Sequence, residues 1–378
     1  MPGVSQSPSF TVEYFEPEAI EAEQLPEEFD TSHLRRSLLL IAGAALVVVA
    51  LIALVPGLAS LRERFAGGEP GWLAVAAALK VVSCASYVVA FRGVFCSRMR
   101  WNTSSQIGLS ELAANSLLSV GGAGGLALGA WILRRGGMDT GHIARRTVAF
   151  FLLTSLVNVS FLILCGLALA TGVLAGSPTL LLALVPALVG VAAICVALAA
   201  GWAAHALARH TGRPGLERIL RTIGAGVEEA VELLRSRDWM VLAGALGYML
   251  FDVAALGFCF VAFGNDVPAV GVLVLAYVIG LLGGLIPLPG GIGGVDAGLI
   301  GTLVVYGVEP ADAAVAVVAY RGIVLAVPAL LGLPALEVLR RRLRTEEHDI
   351  AACTPGQEVE VLGRGQVSPW RRVSQEGA

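Results

Sequence analysis

Six stretches of this chain stay apolar for long enough to cross a bilayer: residues 38–59, 72–95, 148–173, 180–204, 240–263 and 313–336. A helix needs about 20 apolar residues to cross a hydrocarbon layer about 30 Å thick, and each stretch meets that length. Two more apolar regions, 109–133 and 270–306, follow the same trend but are broken by glycine clusters. The first reads "LSELAANSLLSVGGAGGLALGAWIL", with its break at Gly121, Gly122, Gly124 and Gly125. The second contains "PLPGGIGGVD", from Pro287 to Asp296. Proline removes a backbone donor and glycine gives up backbone order, so neither region forms one straight helix. In the first region, each arm of roughly ten residues reaches about 15 Å, half a bilayer. That predicts a re-entrant hairpin. Region 270–306 reads as a shallow hairpin or two short spans. The expected fold is an all-α polytopic membrane protein with about six full spans plus two glycine-broken re-entrant regions, six to eight spans in all.

The arginines assign the faces. Cytoplasmic loops carry the excess of Lys and Arg. With the N-terminus inside, Arg35, Arg36, Arg98 and Arg100 are cytoplasmic. Arg134, Arg135, Arg145 and Arg146 join them only if 109–133 doubles back, which favours the hairpin. The segment 209–237 and "RRRLR" at 340–344 then return inside, while Asn265, Asp266 and "GVEPAD" at 307–312 lie outside. Arg62 and Arg64 are the exceptions, beside Glu63 and Glu69. The expectation is a multi-pass inner-membrane protein with both termini cytoplasmic. Between 213 and 238, apolar residues at helical spacing predict an amphipathic helix, either on the cytoplasmic surface or packed on the bundle. Residues 1–36 and 345–378 read as disordered cytoplasmic tails flanking a membrane domain at 37–344.

The two broken regions resemble each other. "GGAGGLA" at 121–127 aligns with "GGIGGVD" at 290–296, an offset of 290 − 121 = 169. "GMDTGH" at 137–142 aligns with "GVEPAD" at 307–312, and "VVAF" at 88–91 with "FVAF" at 260–263. Span, broken hairpin, span therefore occurs twice, at about 72–173 and 240–338, with the hairpins approaching from opposite faces. Such inverted-topology repeats are common in transporters, whose broken helices meet near the midplane and line the substrate site. Irregular backbone at membrane depth survives only buried in protein or lining a wet cavity. Freed amides at half-helix N-termini also suit an anion such as a lipid phosphate. Close helix packing is the alternative reading of these glycines.

Composition narrows the classes further. Of 378 residues, 56% are hydrophobic and 15% charged, more apolar surface than one soluble core needs. No basic patch with interleaved aromatics points to nucleic acid. The six cysteines show no metal-like spacing and the five histidines are scattered, so no metal or cofactor is expected. No nucleotide-binding or nucleophile motif appears, which argues against an enzyme or an ATP-driven pump.

Charges inside the apolar segments need a reason, since each costs about 2.5–3.5 kcal/mol on insertion. Lys80, the only lysine, lies in the second span and Asp252 in the fifth. An offset of 172 relates them, which predicts a buried ion pair, either static or a relay. Asp296 follows the second break and Arg321 lies in the last span; they form a headgroup site or a plain salt bridge. Glu111 and Asn115 share one face of the first half-helix and are candidates for the opposite approach. Tyr320 is a headgroup contact or packing. Arg92, near the inner interface, snorkels.

At 287–332 the chain resembles the flippase-like membrane family, that of the transmembrane part of lysylphosphatidylglycerol synthase. The residues that carry the resemblance are Pro287, Pro289, Gly290, Gly291 and Gly293, then Asp296, Tyr320 and Arg321; Gly294, beside them, joins the candidate site. The acidic position is usually glutamate in that family and is aspartate here. The resemblance implies translocation of an anionic, aminoacylated or isoprenoid-linked lipid, or of a hopanoid, with membrane lipids as partners. Two alternatives use the same architecture: a non-transporting partner of a separate lipid-modifying enzyme or glycosyltransferase, and an ion-coupled small-solute transporter.

Overall fold

The computed structural model describes residues 43, 59–117, 123–174, 180–210, 214–236, 238–285, 291–351 and 353. The expected span at 38–59 lies almost wholly outside them, as do Gly121, Gly122, Pro287, Pro289 and Gly290. The regular structure among the described residues is helical. Five helices are long and apolar enough to cross a membrane: α2 (Pro70–Phe95), α5 (Thr140–Ala170), α6 (Leu180–His210), α8 (Trp239–Ala262) and α11 (Pro310–Ala351). The chain is a multi-pass membrane protein. A short helix, α1 (Ala59–Ala66), precedes them, and α7 (Pro214–Arg235) joins α6 to α8.

Two helix starts show how local chemistry overrides hydropathy. Helix α5 begins eight residues before the apolar stretch, because the Asp139 carboxylate accepts from the His142 amide at 2.8 Å and caps the first turn. Asp238 does the same for α8 through Met240 N–H, at 3.0 Å. The first hairpin consists of α3 (Trp101–Leu117) and α4 (Ala123–Arg135). Its first arm is longer than the pattern predicts. Residues 101–108, "WNTSSQIG", look polar, yet Thr103 and Ser104 are buried, and nearby Ser110 Oγ donates to Gln106 O at 2.6 Å. Ser110, like Ser105 with Asn102 O, bonds back to its own helix, which lets such hydroxyls sit in an apolar bundle.

The second hairpin is α9 (Val270–Leu282), a 3₁₀ turn (Gly283–Leu285) and α10 (Gly294–Val305). Thirteen residues reach about 20 Å, short of a full crossing. The arms pack against each other, an arrangement common to a shallow hairpin and to two short antiparallel spans. A Cβ at Gly298 would lie 3.0 Å from Gly280 Cα, and one at Gly283 would overlap the Gly294 backbone. At 283 only glycine permits that approach; at 298 a Cβ would need a shift of a few tenths of an ångström.

Helices α2 and α8 pack antiparallel along their lengths. Trp72 stacks on Phe258 with ring centroids 5.5 Å apart, and Ser83 Oγ donates to Tyr248 O. Further along, Gly244 lies against the Ala90 backbone and Gly93 against Val241. At one end Glu69 N–H donates to Ala262 O at 2.7 Å. At the other, Arg146 from the start of α5 donates to Val94 O, also at 2.7 Å. The open end of the first hairpin lies at this Val94 end, next to α5 and the basic loops. The second hairpin opens at the Glu69 end, where residues 266–272 and 306–312 line one pocket. Helix α3 packs on α11, with Gly332 against Leu109 O and Ala113, and α9 packs on α5, with Gly271 against Leu169 and Leu174.

Order continues past residue 345. Helix α11 runs to Ala351, because Ile350 is fully buried against Gly136 and a disulfide joins Cys353 to Cys96 just after α2. The cysteine spacing did not announce that bond across 257 residues. Helix α7 packs on the bundle through Gly226 against Val148 and an Arg146–Glu229 ion pair of 2.7 Å. Toward its start the same stripe is less covered, and Leu216, Ile219 and Ile223 are exposed.

Candidate functional site

The second hairpin breaks where backbone chemistry demands glycine. Gly291 and Gly293 have φ of 65° and 87°, a left-handed conformation costly for other residues. Gly293 also heads α10, where the first amides of a helix lack internal partners. Asp296, one turn in, reaches back and accepts from Gly293 N–H through Oδ2 at 2.7 Å. Its other oxygen, Oδ1, accepts from Arg321 Nε at 2.7 Å. One carboxylate thus holds both the loose end of a half-helix and the last span. The Arg321 guanidinium lies beside Gly291, within 3.6 Å of where a Cβ would be. The pair is not sealed: the side chains of Arg321 and Asp296 are 11% and 25% exposed. A positive group, a helix N-terminus and accessible surface coincide here, a combination that attracts anions.

The first hairpin holds its break differently. Asn115 Oδ1 accepts from Gly125 N–H at 2.8 Å, a side-chain partner for a first-turn amide of α4. Gly125 sits against Glu111 O, and Gly129 directly faces the Glu111 carboxylate. That carboxylate is 1% exposed and accepts from Tyr87 O–H on α2 at 2.8 Å. No described cation lies within ion-pair distance of it. A carboxyl group there retains either a costly charge or a proton.

Between the hairpins, Lys80 Nζ donates to both oxygens of Asp252 at 2.8 and 2.9 Å. Tyr277 O–H, from α9, donates to Asp252 Oδ2 at 3.3 Å. Lys80 Nζ also lies 5.3 Å from the centre of the Tyr248 ring, which meets Tyr87 edge-on at 5.3 Å. A buried seam therefore runs from Tyr277 through Asp252, Lys80, Tyr248 and Tyr87 to Glu111, touching both hairpins.

The sequence that carries these groups decides the family. The model of the lysylphosphatidylglycerol synthase TM region matches residues 40–332. The chain belongs to that family. No curated protein matches it. As a member of the lysylphosphatidylglycerol synthase TM region family, it is a membrane protein tied to lipid metabolism.

Of the site residues expected from sequence, the structure pairs Lys80 with Asp252, Asp296 with Arg321, and Asn115 with Gly125. Gly124 is buried in the first turn of α4, and Gly294 opens α10 against Gly283. Tyr320 is separate from its neighbour Arg321: it is 3% exposed and faces the core with Ala316 and Val317. Arg92 donates to Met99 O at 2.8 Å and lies over the Trp101 ring, close to the basic face. Sequence reasoning missed the three tyrosines. The signal was present, since Tyr87 is two helical turns from Lys80 and Tyr248 one turn from Asp252, on the same faces. Among the described residues, no group of three or more His, Cys, Asp or Glu side chains could hold a metal.

Proposed function

We propose that this chain is a flippase-like lipid translocase, moving an anionic, aminoacylated or isoprenoid-linked lipid between the leaflets of the inner membrane, with both termini cytoplasmic. The observation that carries this reading is the half-open Asp296–Arg321 pair on the broken second hairpin. In an apolar bundle a charge pair is either sealed or marks a polar path. This one is exposed enough to meet a headgroup.

The reading includes an inverted repeat of α2–α5 and α8–α11. Four packing facts support it. Lys80 and Asp252 are 172 residues apart and touch, as equivalent positions must where a pseudo-two-fold axis passes between two antiparallel helices. The shift of 169 that relates the glycine clusters carries Glu111 onto Gly280 and Gly129 onto Gly298, and both pairs are in contact. The first arm of each hairpin packs on the last span of the other half. The hairpins open toward opposite faces. Such an arrangement lets one half rock against the other around a central site, and the buried seam gives both hairpins a common fulcrum at Lys80–Asp252.

The test is leaflet exchange. The purified protein in liposomes, with a fluorescent lipid placed in one leaflet, is expected to speed exchange of an anionic lipid, and Arg321→Gln to remove most of that gain. If no anionic, aminoacylated or prenyl lipid exchanges faster than in empty liposomes, the chain instead serves as a membrane partner of a separate lipid-modifying enzyme.

A further inference from the structure

A crevice of about 660 Å³ lies between the second arm of the first hairpin, α5 and the surface helix α7. That volume is within the range of ligand pockets, roughly 300–1,000 Å³. Its walls are apolar: Leu126, Ala130 and Trp131 from α4, Ile143 and Val148 from α5, and Ile219 from α7. Arg134 and Arg218 stand at its rim. Arg218 and Thr222 also line an adjoining pocket of about 400 Å³, which adds Arg145 and Arg221. The two spaces therefore share one wall, apolar on one side and cationic on the other.

The charges around it do not cancel. Glu217 pairs with Arg221, Glu229 with Arg146, and the Asp139 carboxylate caps His142 N–H. No described residue forms an ion pair with Arg134, Arg145 or Arg218. Arg134 thus lines the larger space, Arg145 the smaller and Arg218 both, while the neighbouring carboxylates of Glu217, Glu229 and Asp139 are already engaged. The same helix exposes Leu216 at 42% and Ile219 at 58%, as a helix at the headgroup boundary does. A water-soluble anion would use the arginines and leave the crevice empty. A hydrocarbon chain alone would leave the arginines unmatched. An amphiphile with a phosphate above an acyl chain uses both.

We propose that this crevice binds a phospholipid of net negative charge from the cytoplasmic leaflet, its phosphate against Arg134, Arg145 and Arg218 and one acyl chain against Ala130, Trp131 and Ile219. This deepens the translocase reading and rests on its assignment of the basic face to the cytoplasm. The site discriminates by charge. A lysyl-esterified phosphatidylglycerol, with net positive charge, is repelled by the three guanidiniums, and a zwitterionic lipid gains no net attraction. The family's name points to an aminoacylated lipid; the cationic crevice of this member selects the unmodified anionic one.

Native mass spectrometry of the full-length protein in detergent tests the site, comparing phosphatidylglycerol, lysyl-phosphatidylglycerol and phosphatidylcholine as added lipids. Phosphatidylglycerol is expected to be retained best. The double variant R145Q/R218Q is expected to lose roughly tenfold or more of that retention, each arginine contributing about the interaction of one basic residue with an anionic lipid surface. A130W, which keeps every arginine but fills the crevice, is expected to lose retention equally, and it serves as the second variant if the double change fails to fold. Equal retention of all three lipids, or wild-type retention in both variants, overturns the proposal. So does displacement of phosphatidylglycerol by inorganic phosphate at equal concentration, which would make this an oxyanion site. Leaflet exchange lost with phosphatidylglycerol retention intact would remove the translocase reading and leave this site standing; the reverse result would remove only the site.

Discussion

Lys80–Asp252 and Arg321–Asp296 are both carboxylate–cation pairs inside the apolar bundle, built on opposite plans. The Lys80 and Asp252 side chains are 2% and 4% exposed, and Tyr277 and the Tyr248 ring close the remaining sides. Those of Arg321 and Asp296 are 11% and 25% exposed, and the carboxylate spends its second oxygen on a backbone amide at a helix break. The sealed pair fixes the register of two straight helices. The open pair steadies an interrupted helix and leaves a cation within reach of the surface. A charge within an apolar segment is therefore not by itself a substrate site. On the translocase reading proposed above, the sealed pair serves assembly and the open one meets the headgroup.

The largest effect should come from breaking the sealed pair on one side. Lys80→Met leaves Asp252 buried without its cation, which costs about 3–5 kcal/mol. Asp252→Asn leaves the ammonium in the same position. Replacing both with apolar residues, as in K80M/D252L, is expected to restore most of the stability, because a packed apolar pair is close to neutral against a buried ion pair. Thermal unfolding in detergent, followed by loss of the monodisperse species, measures all three. A double variant that folds normally but no longer exchanges lipid would break the comparison, since the sealed pair would then be functional too.

Arg321→Gln should show the reverse pattern. Asp296 keeps its bond to Gly293 and some contact with water, so loss of the Arg321–Asp296 bond costs about 1.5–3 kcal/mol, as for one charge-assisted hydrogen bond. Leaflet exchange should fall at least tenfold. Unfolding and exchange measured on the same preparation separate the two readouts. A stability loss as large as that of Lys80→Met, with exchange unchanged per folded molecule, would make Arg321 a second cement.

How legible this was from the sequence differs from element to element. Five of the six expected spans and the interruption of the two glycine-rich regions were readable, because clustered glycine and proline in apolar surroundings do not sustain an unbroken helix. The pairing of Lys80 with Asp252 followed from a fixed offset between the two halves, and the structure places them in contact. The tyrosines were not found, because an aromatic ring in an apolar segment looks like packing until its hydroxyl is matched to a charge. The buried start of α3 was hidden by its hydroxyls, and the Cys96–Cys353 bond by its separation in the chain. The crevice was the least legible. Its walls join the consecutive helices α4 and α5 to α7, which is distant in sequence, and its arginines were visible only as topology signals.

The two hairpins allow a finer comparison. A Cβ at Gly129 would collide with the Glu111 carboxylate, which Tyr87 holds in place. At the related Gly298 it would meet Gly280 Cα at 3.0 Å, a contact relieved by shifts of a few tenths of an ångström. Gly129→Ala is therefore expected to cost about 1–3 kcal/mol as overpacking, and Gly298→Ala less. Equal losses in thermal unfolding would mean that Glu111 swings aside freely and that the first hairpin is no more tightly locked than the second.

The smallest effect is expected at the face where the second hairpin opens. Arg64, on α1, pairs with Glu309 at 2.9 Å and with Asp312 at the start of α11. These side chains are 35%, 52% and 24% exposed. Such pairs contribute about 0–1 kcal/mol and weaken with salt. Arg64→Ala should therefore shift unfolding little, and less still at high ionic strength. The exchange rate is the sharper readout. Helix α11 carries Arg321 eleven residues beyond Pro310, so release of the contact at its first turn is expected to let the open pair move more freely against the second hairpin. Faster exchange in Arg64→Ala, suppressed in the wild type only at low salt, would tie this surface contact to the open pair. An unchanged rate at every ionic strength would confine control of the hairpin to Asp296 and Arg321 themselves.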